Sequence, residues 1–217
     1  MRTKTWVLRM ALIGVVGLLK PACNEPGAPV SLFLETWDGG FPGTSWGNGG
    51  SGSANNVWDP LKGNPAPSLR LESGSGSGSV VAMVAVQFDG PSLTGALDMA
   101  AEGSAADQGV GIIRIKDQSD NQIAYALWDV QANLLTFTIM GATDVSIAPP
   151  SSFPVFHRFV FKITSGGSAS WSVDNGAAVM THSGISFSQL KLDLVGSFTG
   201  LGPWANFYFD NVSVTSP

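Results

Sequence analysis

The chain has 217 residues, 44% hydrophobic and 12% charged, with 27 glycines and 13 prolines, so it can bury a full core but is poor in the charged residues that long surface helices need. Its formal charge of −5 conceals a stronger acidity: Arg2, Lys4, Arg9 and Lys20, four of the 11 basic residues, fall in the first 22 positions, and the remainder carries 7 basic against 16 acidic residues, or −9. An acidic surface of that kind argues against nucleic acid as a partner.

Residues 1–22 read as a signal peptide, with Arg2 and Lys4 ahead of the apolar run 10–19. That run is too short to span a bilayer comfortably and has the length of a signal-peptide core. Export to the cell envelope or the extracellular space is therefore expected. The chain's one cysteine, Cys23, follows the small residue Ala22, where a bacterial lipoprotein would carry its lipidated cysteine. Lys20 and Pro21 depart from that signal, and ordinary cleavage nearby is the alternative. The membrane is thus expected as a partner only through a lipid on Cys23. A lone cysteine also rules out an intrachain disulfide.

Residues 23–29 form a short polar tether, and 30–217 read as one all-β domain. A first strand is predicted over 30–37, followed by a Gly-, Ser- and Asn-rich stretch at 39–56 that reads as a long loop around Trp46. A short strand at 68–72 leads into the Ser-Gly repeat 73–79, expected to be a mobile hairpin loop. Strand-length β-branched or apolar runs then recur at 80–88, 95–101, 110–116, 122–130, 134–140, 156–164, 169–173, 178–182 and 190–195, with turn residues between them. Asn175-Gly176 supplies the positive φ angles of a two-residue hairpin turn. The chain ends on 206–215, where aromatic and β-branched residues alternate with polar ones. That closing strand needs a partner already made, and 30–37 is the best match. First and last strands side by side predict a closed two-sheet antiparallel sandwich, with Glu35 and Asp210 near each other at one edge.

Glu35-Thr36-Trp37-Asp38-Gly39-Gly40-Phe41-Pro42 at the opening and Phe209-Asp210-Asn211-Val212 at the close resemble the concanavalin A-like (laminin G-like) jelly rolls. The resemblance covers residues 30–216 and implies a jelly-roll β-sandwich. It also implies a structural calcium joining the first strand to the last, for which the matching positions are Glu35 and Asp210. Hard cations want several carboxylate and carbonyl oxygens, which two adjacent strands can supply. The alternative is that Asp210 simply caps a strand edge.

Glycosidases of this fold carry Glu-x-Asp-x-x-Glu along one strand, so that alternate carboxylates face the cleft together. That motif is absent, as is the lyase pattern Gln-Ile-His, and no catalytic residue is assigned. His157 and His182 stand singly at strand ends, outside any recognisable metal or triad spacing. Trp128 and Trp171 lie in strands and are expected in the core. Trp46, Trp58 and Trp204 sit among Gly, Asn, Asp or Pro, where an indole can stack on a sugar ring or plug one end of the sandwich. Antiparallel pairing of first and last strands would bring Trp46 and Trp204 to one rim. Arg114 and Lys116 share one strand face, Arg158 and Lys162 another; with Tyr125 between, they would make a cationic platform for an acidic glycan, or otherwise a solvated face. The expected function is an exported, non-catalytic carbohydrate-binding or adhesion-type jelly roll with a glycan as partner. The alternatives are a polysaccharide hydrolase or lyase working with Arg114, Tyr125 and His157, and a surface protein–protein interaction domain.

Overall fold

A computed structural model describes residues 29–40, 46–87, 92–104, 106–151, 154–164, 166–185, 187 and 189–216. The leader and Cys23 lie outside the described residues. Among the described residues thirteen strands make the fold: β1 (Val30–Glu35), β2 (Gly47–Asp59), β3 (Ser68–Gln87), β4 (Leu93–Glu102), β5 (Val110–Lys116), β6 (Gln122–Asp129), β7 (Leu134–Ile139), β8 (Val145–Ile147), β9 (His157–Ile163), β10 (Ala169–Val173), β11 (Met180–His182), β12 (Gln189–Phe198) and β13 (Asn206–Ser216). All strand pairings are antiparallel.

The strands form two layers. The first runs β11-β10-β9-β4-β13, and the free edge of β13 is then shared by β1, opposite residues 212–216, and by the start of β3, opposite 207–209. The second runs β3-β12-β5-β6-β7-β8. The 20-residue β3 belongs to both, since its start pairs with β13 and its end with β12, and β2 follows it along its other edge. At the opposite margin the indole N–H of Trp171 on β10 donates to Thr138 O on β7 at 3.2 Å. The expected pairing of first and last strands is present, with Val30 opposite Ser216 and Glu35 opposite Val212.

Period-two alternation explains the layers. Along β5, Gly111, Ile113 and Ile115 are buried while Ile112, Arg114 and Lys116 are only partly so. The inward residues meet across the sandwich, Leu97, Phe159 and Phe161 from the first sheet facing Ile113, Ile115 and Leu192 from the second. Each such side chain contributes about 1.5 to 3 kcal/mol by leaving water. Trp128 and Trp171 are in this core, at 0% and 1% exposure.

The Gly/Ser stretches depart from expectation. Residues 47–53 and 73–79, read as loops, are strand: Gly47–Gly50 pair with Val80–Met83, and the two stretches meet at Ser51–Gly52 opposite Gly78–Ser79. Gly52 sits opposite Gly78 beside a register shift, with φ of +71°. A Cβ at Gly52 would stand 2.3 Å from Ser77 O, and one at Gly78 2.4 Å from Ser51 O. Only glycine lets the two backbones approach so closely. The hairpin after β10 is also shifted by one residue: the positive φ angles belong to Asp174 and Asn175, at 52° and 58°, and Gly176 N–H closes the turn on Val173 O.

Candidate functional site

The outward face of the second sheet carries a continuous cross-strand row, Met83 on β3, Asp193 on β12, Arg114 on β5, Tyr125 on β6 and Thr138 on β7, each opposite the next in register. Cross-strand neighbours of this kind are within side-chain reach. Asp193 is 2% exposed but partnered: Arg114 Nε and a terminal guanidinium nitrogen donate to its Oδ2 at 2.9 and 2.7 Å and Lys116 Nζ at 2.8 Å. Lys116 is also 3.9 Å from Asp120, and Thr138 Oγ1 donates to Asp144 Oδ1 at 2.6 Å, so the cations of this patch are matched by nearby carboxylates. Lys191 Nζ is 2.9 Å from Asp120 Oδ2 in the β5–β6 turn, and this hydrogen bond holds the Asp120 carboxyl below the usual range. A groove of about 230 Å³ opens between them, lined by Met83, Val84, Asp120, Lys191 and Asp193. On the other side of the row lies an aliphatic band of Val81, Val195, Ile112 and Leu127. The half-buried Tyr125 ring stands where the charged and aliphatic rows meet. Asp193, which anchors this arrangement, carries no sequence signal beyond its place on an alternating strand.

The expected four-cation platform does not form. β9, with Arg158 and Lys162, lies in the first sheet between β4 and β10, whereas β5 lies in the second between β12 and β6. Arg158 instead donates to Asp98 Oδ1 at 3.0 Å and Asn211 O at 3.1 Å on the first sheet's outer face.

That face is covered by the segment 60–67. Asn64 N–H donates to Asp210 Oδ2 at 2.6 Å and Asn64 Nδ2 to Asp98 Oδ2 at 3.2 Å, while Asn211 Nδ2 donates to Asp98 Oδ2 at 2.8 Å and to Asn64 O. Lys62 reaches Glu102 at 2.8 Å, and Tyr208 OH donates to the same carboxylate. Burial, and then this carboxylate, push the Tyr208 phenol far up. Asp210 is 1% exposed, and its carboxyl is pushed up to about 6. Burial is the main cause and the charges of Asp98 and Asp38 add to it, against the pull of the Asn64 and Asn211 N–H groups.

Glu35 and Asp210 stand at one joint, Glu35 opposite Val212, but each finds its own donors. Glu35 Oε1 accepts from Trp37 N–H at 2.8 Å and Oε2 from the Trp46 indole at 3.2 Å. Asp210 Oδ1 accepts from Asn211 N–H at 2.7 Å. The donor chemistry suits a hard cation, being oxygen only, yet all four carboxylate oxygens already take an N–H. Among the described residues no group of three or more His, Cys, Asp and Glu is placed to hold a metal ion.

Trp46 is a correction. It is 6% exposed and packs with Phe33 and Trp37, ring centroids 5.8 and 5.0 Å away, so it presents no ring face to a ligand. Trp204 is half-buried, donates to Thr199 O at 3.2 Å and bridges to Gln108. The two indoles do not share a rim, because β13 runs on past the end of β1: Asn206, two residues after Trp204, lies six residues before Val212, about 20 Å along a strand. Trp58, at 40%, keeps an exposed ring while its indole N–H donates to Trp37 O at 3.0 Å.

His157, expected to stand alone, is held between two partners. Its Nδ1 is 2.6 Å from Asp174 Oδ2 and its Nε2 3.0 Å from Ser151 Oγ. Neither partner is legible at positions 151 and 174, since the β9–β10 register brings the turn back to the start of β9.

No family model matches the sequence, and no curated protein matches it either. Solved structures do match the fold. A GlcNAcα1-4Gal-releasing endo-β-galactosidase from Clostridium perfringens superposes with a TM-score of 0.61 and 12% identity over 89% of this chain. This chain spans 63% of that enzyme's chain, less than two thirds. A carbohydrate binding module from Bacillus subtilis matches with a TM-score of 0.51 and 16% identity, over 80% of this chain and 96% of the module. The metal-free lectin I-B4 from Griffonia simplicifolia gives 0.53 and 12%, over 88% of this chain and 100% of the lectin. By its fold, the chain is an antiparallel jelly-roll β-sandwich similar to these structures.

Proposed function

We propose that the chain is an exported carbohydrate-binding jelly roll that takes an anionic glycan on the outward face of its second sheet, around Tyr125. The observation that carries this reading is the row Asp193–Arg114–Tyr125–Thr138. The Tyr125 ring gives a sugar a stacking surface, and the partly exposed Arg114 guanidinium opposite it in register is the group suited to the carboxylate or sulfate of an acidic sugar. Binding rather than glycosidic cleavage is the role assigned, because Asp193 is buried and neutralised by Arg114 and Lys116 and so is unsuited to paired-carboxylate work. The fold neighbours, a binding module and a lectin among them, support the reading.

The test is a glycan array of neutral, uronic and sulfated oligosaccharides, followed by titration of Tyr125→Ala. Selective binding of acidic glycans is expected, weakened by tenfold or more in the variant, about 1.4 kcal/mol. Full affinity in a folded Tyr125→Ala protein would remove this face from the site. Calcium at the Glu35–Asp210 joint and a lipid on Cys23 are separate proposals, supported respectively by the oxygen-only donor set and by the apolar leader that ends at the cysteine.

A further inference from the structure

Glycan binding makes no use of the constellation at the start of β9. Ser151 lies in the connection from β8 to β9, His157 opens β9, and Asp174 is the first residue of the turn after β10. The Asp174 carboxylate is fixed twice: Oδ1 accepts the Arg158 N–H at 2.8 Å, and Oδ2 faces His157 Nδ1 at 2.6 Å. In a neutral imidazole, a carboxylate at Nδ1 selects the tautomer that carries its proton there. Nε2 is then an unprotonated acceptor, and the group facing it at 3.0 Å is the hydroxyl of Ser151. The imidazole is 2% exposed and backed by Trp128, ring centroids 5.6 Å apart, so it cannot swing away. Ser151 is half-buried and the Asp174 side chain is 40% exposed, so both are open to solvent on either side of the buried imidazole.

A buried histidine kept only for packing needs two partners of any kind. This one has a nucleophile on one nitrogen and a fixed carboxylate on the other, which is the order of roles that activates a serine. We propose that Ser151 and His157 are catalytic nucleophile and general base, with Asp174 as positioning residue, for hydrolysis of carboxylic esters. Ser151 Oγ forms a bond to the acyl carbon as its proton passes to Nε2. The ester C–O bond breaks and the alcohol leaves with that proton. Water then adds to the acyl carbon, giving its proton to Nε2. The acyl–Oγ bond breaks as Oγ takes the proton back, and the carboxylic acid is released. No oxidant, reductant or metal is required.

The experiment treats the full chain with a fluorophosphonate, reads the adduct by intact mass and peptide mapping, and follows p-nitrophenyl acetate hydrolysis in parallel. One adduct on Ser151 is expected, absent in Ser151→Ala, with hydrolysis in that variant lower by about 100-fold or more. Asp174→Asn should slow both phosphonylation and hydrolysis while keeping the wild-type melting temperature, a split that a purely structural aspartate would not give. Failure to label Ser151, labelling elsewhere only, or undiminished hydrolysis by Ser151→Ala overturns the proposal. None of these results bears on glycan binding at Tyr125.

Discussion

Asp210 gives the joint between first and last strands a measurable proton linkage. Its carboxyl is raised from an ordinary 3.8 to about 6 in the folded protein, chiefly by burial. Below the lower value both folded and unfolded chains hold the proton at this position. Between the two values the folded chain holds a proton that the unfolded chain has lost, so stability falls as pH rises through this window and levels off above it. A shift of about two units corresponds to about 3 kcal/mol, at about 1.4 kcal/mol per unit. The assay is urea unfolding from pH 4 to pH 8 in the presence of a chelator, on the wild type and on Asp210→Asn. The amide keeps an acceptor for one of the Asn64 and Asn211 N–H groups but cannot ionise. Glu102 titrates in the opposite sense, since hydrogen bonds from Lys62 and Tyr208 hold it low, and it is common to both proteins. The wild type should therefore lose stability relative to the variant as pH rises, and only between about 4 and 6. A difference between the two proteins that is independent of pH would refute the reasoning. Calcium bound at this joint would favour the ionised carboxylate, flatten the slope and add about 2.7 kcal/mol at a hundredfold excess over its dissociation constant. If added calcium changes neither slope nor midpoint, the calcium proposal fails and the proton linkage stands.

The tryptophans separate by burial: Trp46→Ala should cost about 3 to 5 kcal/mol in chemical denaturation, for loss of its packing on Phe33 and Trp37, and Trp58→Ala about 1 kcal/mol. Equal losses would contradict the burial of one and the exposure of the other. Lipidation of Cys23 predicts an acyl-modified N-terminal cysteine by mass spectrometry and partition with membranes, whereas a soluble chain with a free N-terminus at another residue would exclude it.

Where the chain alternates on its own, the fold was legible. The runs at 110–116 and 206–216 declare their strands locally, because one face must be apolar and the other need not be. The Gly/Ser runs of β2 and β3 do not, since neither has a side-chain pattern and each becomes strand only by long-range pairing, 47–50 with 80–83 and 78–79 with both β2 and β12. Trp46 misled for a related reason: its glycine-rich neighbours describe the local backbone, not the Glu35 acceptor and the Phe33 and Trp37 rings that draw the indole inward.

The site residues depend on distant pairings still more strongly. Arg114 and Tyr125 could be found from strand phase, but Asp193, which holds Arg114 and Lys116, is 79 positions away from the arginine and joins it only through the β12–β5 register. At the β9–β10 hairpin a single residue of turn phase decides the chemistry. Asn175-Gly176 is the turn that composition suggests, and it would leave Asp174 as the last residue of a strand. The structure places Asp174 and Asn175 at positive φ instead, and the Asp174 N–H donates to Arg158 O at 2.8 Å. That bond and the reciprocal one from Arg158 N–H to Asp174 Oδ1 fold the aspartate back over the start of β9, with its other oxygen on His157. The order nucleophile, base, carboxylate at 151, 157 and 174 is thus set by the turn, and no spacing rule along the chain could have displayed it.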